Sequence, residues 1–95
     1  MTFRYKPGLG VPYEQQGWIY FTSRLYGSMP ERVRREIESL CHICGGEHWA
    51  ALMDFVTGDD SATAICRRHY ISRSTLYRAV RRYYQRFPMD LAAQV

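Results

Sequence analysis

Between residues 28 and 88 the apolar positions recur at helical spacing. Val33, Ile37, Leu40, Cys41 and Cys44 share one face of a first helix. Ser28 stands three residues before Glu31, the spacing of a capping box, and Pro30 is tolerated in a first turn. Gly45-Gly46 stops that helix. Trp49, Leu52, Met53 and Val56 give a second amphipathic helix closed by Gly58 as a C-cap. Asp59-Asp60-Ser61 offers N-cap groups for a third helix, with Ile65, Cys66 and His69 inward. After a short break at Tyr70-Ile71-Ser72, Ser72 caps a fourth helix, with Ile71 and Leu76 at hydrophobic-staple spacing. Leu76, Ala79, Val80, Tyr83 and Phe87 form its buried stripe, and Pro88 ends it.

Residues 1–27 read differently. Pro7-Gly8-Leu9-Gly10-Val11-Pro12 is turn-rich and is not expected to be helical. Gly17-Trp18-Ile19-Tyr20-Phe21-Thr22 has the aromatic and branched composition of a short strand. A lone strand must pack on the domain or pair with another chain. The pattern therefore divides the chain into an N-terminal aromatic arm (1–27), a helical domain (28–88) and a short C-terminal tail (89–95). The expected fold is all-α, a compact helical bundle, with no internal repeat and no low-complexity tract.

The third and fourth helices have the layout of a helix-turn-helix. Cys66 supplies the small residue at the helix crossing and Ile71 the apolar residue of the turn. Leu76 and Ala79 are the anchors five and eight positions later. The fourth helix then becomes a recognition helix, with Arg73, Ser74 and Thr75 of its first turn toward base edges. Tyr77, Arg78, Arg81 and Arg82 lie off the apolar stripe, within reach of bases or phosphates. Arg67 and Arg68 sit on the preceding helix, which crosses the DNA backbone in this geometry, and are expected on phosphates.

Charge sharpens this expectation. Residues 61–87 carry Arg67, Arg68, Arg73, Arg78, Arg81, Arg82 and Arg86 with no acid, a local charge of +7. Residues 31–60 hold three Arg against Glu31, Glu36, Glu38, Glu47, Asp54, Asp59 and Asp60, giving −4. The modest net charge of +4 thus hides a basic C-terminal third. All the basic residues except Lys6 are Arg, which suits planar, bidentate contacts to phosphates and base edges. A solvated helical face usually carries both signs, so the acid-free stretch points to a polyanion partner, double-stranded DNA. Ninety-five residues build one small domain with little room for a large active-site cleft, and no enzyme activity is expected. No run approaches eighteen apolar residues and Met1–Pro7 lead into no apolar signal region, so the chain reads as cytoplasmic with no membrane contact.

The string is also recognisable. Residues 28–83 resemble the PapB-type fimbrial regulators, the adhesin biosynthesis transcription regulators of enteric bacteria. Gly27-Ser28-Met29, Ala51-Leu52-Met53-Asp54-Phe55-Val56-Thr57-Gly58, Ser61 and Cys66 carry the resemblance. It implies a small all-helical DNA-binding protein that controls pilus operons and assembles as oligomers on AT-rich DNA. The chain departs from the family pattern at Cys41 and Cys44 and in the number of Arg on the fourth helix.

Two other constellations compete. Cys41-x-x-Cys44 with Cys66-x-x-His69 is a Cys3His zinc pattern, but all four residues lie on stripes the core needs, and a free Cys packs as a small hydrophobe. No metal, cofactor or small-molecule ligand is therefore expected, and His42 and His48 read as exposed or locally bonded. The arm aromatics Phe3, Tyr5, Tyr13, Trp18, Tyr20, Phe21 and Tyr26 either form a lid on the domain or pair between protomers, and self-association is the preferred reading. Arg4 and Lys6 suit a minor groove. The residues and the resemblance together lead to the expectation of a bacterial transcription regulator acting as a homo-oligomer. The alternative is a protein-interaction adaptor, zinc-stapled or metal-free, whose basic helix binds an acidic partner.

Overall fold

The computed structural model describes residues 6–92. Among them are six α-helices and no strand: α1 (Tyr13–Arg24), α2 (Glu31–Gly45), α3 (Trp49–Thr57), α4 (Ala62–His69), α5 (Arg73–Arg86) and the one-turn α6 (Met89–Ala92). The bundle is all-α as the periodicity predicts. None of its described helices is long and apolar enough to cross a membrane.

The expected strand at Gly17–Thr22 is instead the middle of α1. Its hydrophobic pattern is inverted. The inward face is Gln16, Ile19, Thr22 and Ser23, three of them polar, while Tyr13, Trp18 and Phe21 stand exposed. A polar face buries without large cost only when its groups find partners. The amide of Gln16 makes three hydrogen bonds and the Ser23 hydroxyl meets the Tyr83 hydroxyl at 2.6 Å. Pro12 starts the helix at its N-cap, Glu14 lies in the first turn and Arg24 in the last, the charge order a helix dipole favours. Leu9, Val11 and Ile19 join the core, so the described part of the arm is built into the bundle. Phe3, Arg4 and Tyr5 lie outside the described residues.

Helix α2 begins at Glu31, two residues later than the capping box requires. Pro30 holds Met29 extended (φ −81°, ψ 153°), as proline restricts the residue before it, and Ser28 is left in a 3-10 turn with no capping bond. Val33, Ile37, Leu40, Cys41 and Cys44 are all buried, as their spacing predicts. Gly46 turns the chain out of the helix at φ +55°. In α3 the buried face is Ala51, Leu52 and Val56. Trp49 lies largely outside this face, its ring stacked on His42 with centroids 4.0 Å apart.

Helix α5 is the centre of the packing. Leu76, Ala79, Val80 and Tyr83 are buried against α2, α3 and α4. After Pro88, Leu91 of α6 closes the core beside α1. Burial raises the Tyr83 phenol far above its ordinary pKa, so the group is a neutral donor or acceptor to Ser23 throughout the physiological range.

Two stability outcomes follow. Tyr83→Phe strands the buried Ser23 hydroxyl and is expected to cost about 1–3 kcal/mol in urea denaturation. Gly58→Ala places a Cβ 2.9 Å from the Asp54 carbonyl oxygen, the same oxygen that accepts the Gly58 N–H. It is expected to cost roughly 1–3 kcal/mol. Gly27→Ala, which meets nothing within 4 Å, should stay within about 0.5 kcal/mol. Equal melts for the two glycine variants would contradict this packing.

Candidate nucleic-acid interface

Local chemistry fixes the angle between α4 and α5. The Ser61 hydroxyl caps α4 by accepting the Ala64 N–H at 3.1 Å. At the other end Tyr70 adopts the left-handed conformation (φ 57°, ψ 47°), and the N–H groups of Tyr70 and Ile71 both return to the Cys66 carbonyl. The Ser72 hydroxyl then caps α5, accepting the Thr75 N–H at 3.2 Å. Ile71 packs on the core, Leu76 and Ala79 anchor the second helix, and the small Cys66 sits partly buried on α4. Ile71, Leu76 and Ala79 thus pack inward as their spacing predicts.

Tyr70 is the residue sequence reasoning passed over. A non-glycine residue in this region costs about 1–2 kcal/mol. Its ring, 94% exposed, recovers nothing by burial. The available signal was positional: Tyr70 lies four residues after the crossing residue and directly before the turn apolar, where the chain must leave α4 left-handed.

The exposed face of α5 carries Arg73, Ser74, Tyr77, Arg78, Arg81 and Arg82. Arg73 donates to the Thr63 hydroxyl across the motif, and Arg78 reaches the Ser74 carbonyl at 3.4 Å. Thr75 is half-buried with its hydroxyl 2.9 Å from that of Ser72, so it belongs to the cap. Arg82 donates to the Cys44 carbonyl at 3.0 Å, tying α5 to the end of α2. Arg67 and Arg81 form no hydrogen bond or ion pair with the described residues.

The expectation for Arg68 changes. Its guanidinium is held by Asp60 at 2.8 Å and Asp54 at 3.3 Å, and Asp54 also meets His69 at 2.7 Å. Asp59 takes Arg24 of α1 in the same loop. Asp54 of α3 and Asp60 of the α3–α4 connection therefore neutralise part of the basic third. Arg68 is occupied within the fold, whereas Arg67 beside it is exposed.

The N-terminal segment borders this face. Lys6, Gly8 and Leu9 line an open groove of about 400 Å³ together with Ser74, Tyr77, Arg78 and Arg81. Two side chains hold the segment in place. Gln16 accepts the Lys6 N–H at 2.9 Å and donates to the carbonyls of Lys6 and Val11 at 2.8 and 2.9 Å. Gln85 of α5 donates to the Leu9 carbonyl at 3.0 Å.

The candidate zinc residues are not brought together. Cys41 and Cys44 pack in the core from α2, Cys66 stands on α4, and His69 is engaged by Asp54. Among the described residues no group of three or more His, Cys, Asp or Glu is placed to hold a metal ion. Burial raises the Cys41 thiol to about 12 and raises Cys44 as well. Native-state alkylation with a maleimide is therefore expected to label Cys66 first, with Cys41 and Cys44 reacting only on unfolding. Mass spectrometry of the peptides checks this, and early labelling of Cys41 would contradict the packing.

No family model, curated protein or solved structure matches the chain.

Proposed function

We propose that this chain is a DNA-binding transcription regulator that docks α5 in the major groove of double-stranded DNA. The observation that carries the reading is a capped helix-turn-helix whose second helix is anchored by Leu76 and Ala79 and exposes Arg73, Ser74, Arg78 and Arg81 with no acid on the helix. Arg73 and Ser74, at the start of α5, are the residues for base edges, with Tyr77 and Arg78 one turn further on. Arg67 and Arg81, which lack intramolecular partners among the described residues, are the phosphate contacts. Arg68 and Arg82 act within the fold, through Asp54 and Asp60 and through the Cys44 carbonyl.

The resemblance of residues 28–83 to PapB-type regulators supports a fimbrial or adhesin operon in the bacterial nucleoid as the place of action. A protein of this size reads few base pairs, so useful affinity calls for several protomers on neighbouring sites. The exposed Trp18 and Phe21 of α1 and Leu25 just after it offer an apolar surface for that association.

Fluorescence-anisotropy titrations against AT-rich and GC-rich duplexes at several salt concentrations test the reading. Tight, cooperative and steeply salt-dependent binding that prefers AT-rich DNA is expected. Arg73→Ala should cost about 1–3 kcal/mol and relax discrimination at one base position. Arg67→Ala or Arg81→Ala should weaken all sequences alike and lower the salt slope by about one. Arg68→Ala should leave the slope unchanged, since Asp54 and Asp60 already engage its guanidinium. Absence of binding at low salt to either duplex would overturn the reading in favour of an adaptor with an acidic protein partner.

A further inference from the structure

The N-terminal segment is fastened more firmly than a surface connection requires. Residues 6–9 run beside α5, and their backbone is bonded from both sides. Gln16, fully buried, spends its whole amide on Lys6 and Val11, and Gln85 reaches Leu9 from α5 itself. These tethers grip the main chain only. The Lys6 side chain is left exposed, with no hydrogen bond or ion pair to the described residues.

The groove this creates has a particular chemistry. Gly8, Leu9 and the ring of Tyr77 make its apolar part, and Lys6, Arg78 and Arg81 place cations around it. It is open to solvent rather than enclosed, so it is accessible to a strand lying on the surface. A nucleic-acid strand alternates an apolar deoxyribose with a phosphate anion, which matches apolar walls between cations. The groove also adjoins the Ser74–Tyr77–Arg78–Arg81 face, the part of α5 that the proposed function turns toward DNA.

We infer that one sugar-phosphate strand of the bound duplex lies in this groove, with Lys6 on a phosphate and Gln16 as the positioning residue that holds Lys6 there. This rests on the reading of α5 as the recognition helix. The N-terminal segment then limits how deeply α5 enters the groove and fixes its register on the backbone, the role phosphate contacts play in such complexes. Holding the Lys6 backbone before binding lowers the ordering cost of the contact.

The test uses the full chain and one duplex across a salt series, with melting curves for every variant. Lys6→Ala is expected to reduce the salt slope by about one with an unchanged melt, and Lys6→Arg to restore it. Gln16→Ala is expected to lose the same increment, and Gln85→Ala serves as the milder release of the segment should Gln16→Ala fail to fold. In either background Lys6→Ala should add little further, a non-additivity that simple destabilisation does not produce. Hydroxyl-radical cleavage of the duplex should show a protected run of sugars that is weakened by Lys6→Ala. A Lys6→Ala slope equal to wild type, beside a lowered slope for Arg81→Ala, overturns the groove contact and leaves the DNA reading standing. Tighter binding by Lys6→Ala overturns it as well, because the segment would then be covering α5 against DNA. Loss of all DNA binding by the wild-type chain removes both.

Discussion

A buried phenol needs a hydrogen-bonding partner, and for Tyr83 that partner comes from Ser23, sixty positions earlier in the chain. Tyr83 is the largest fully buried side chain of the structure and the last fully enclosed member of the α5 stripe. Its hydroxyl is what gives α1 a reason to present a polar face inward. Once Ser23 is fixed, the rotation of α1 is fixed, and Gln16 two turns earlier points at the backbone of residues 6 and 11. The position of the N-terminal segment beside α5 is thus set by a bond made at the far end of the same helix. The segment and the helix-turn-helix form one packed unit, and the boundary that composition suggests near residue 27 is not a boundary in the packing.

Charge is divided in an equally specific way. The acids of residues 54–60 take Arg24 and Arg68 from α1 and α4, and a helix-terminal carbonyl takes Arg82. Exposed ion pairs of this kind add little stability individually. Their effect here is on availability: they withdraw some arginines from an external partner and leave Arg67 and Arg81 unengaged. A count of basic residues overstates the number that can meet phosphate, because the counterions come from parts of the sequence that only the fold brings near.

The sequence was legible where periodicity and burial agree. In α2 through α5 the apolar residues at helical spacing are buried or half-buried, with Trp49 the exception, and Ser61 and Ser72 cap their helices. It was illegible where another force prevailed. Helix α1 escaped because its inward residues are Gln16, Thr22 and Ser23 and its aromatics face outward, the reverse of the usual pattern. The capping box at Ser28 failed because Pro30 dictates the backbone of Met29. Tyr70 gave no compositional sign of its left-handed conformation. At the interface, the exposed arginines of α4 and α5 could be named from the sequence, but which of them are internally engaged could not, since Arg68 of α4 and Arg82 of α5 depend on partners fourteen and thirty-eight residues away. The groove was invisible for the same reason, as its two walls meet only when Gln16 and Gln85 fasten the N-terminal segment.

Helix α5 carries a buried stripe of the core on one face and most of the candidate interface on the other, so its two faces are mechanically linked. Its exposed arginines cannot rotate toward a partner independently of Leu76, Val80 and Tyr83, which interior packing holds in place. That rigidity suits the proposed DNA contact, because a helix fixed against three neighbours presents its side chains at constant spacing. It also means that the interface is positioned by residues that never touch the partner. Ser23 orients α1, Gln16 places the segment that walls the groove, Tyr70 sets the angle of entry into α5, and Arg82 anchors its inner edge on α2. The proposed recognition would therefore be a property of the packed bundle, with the basic side chains supplying contacts at places the core has already chosen.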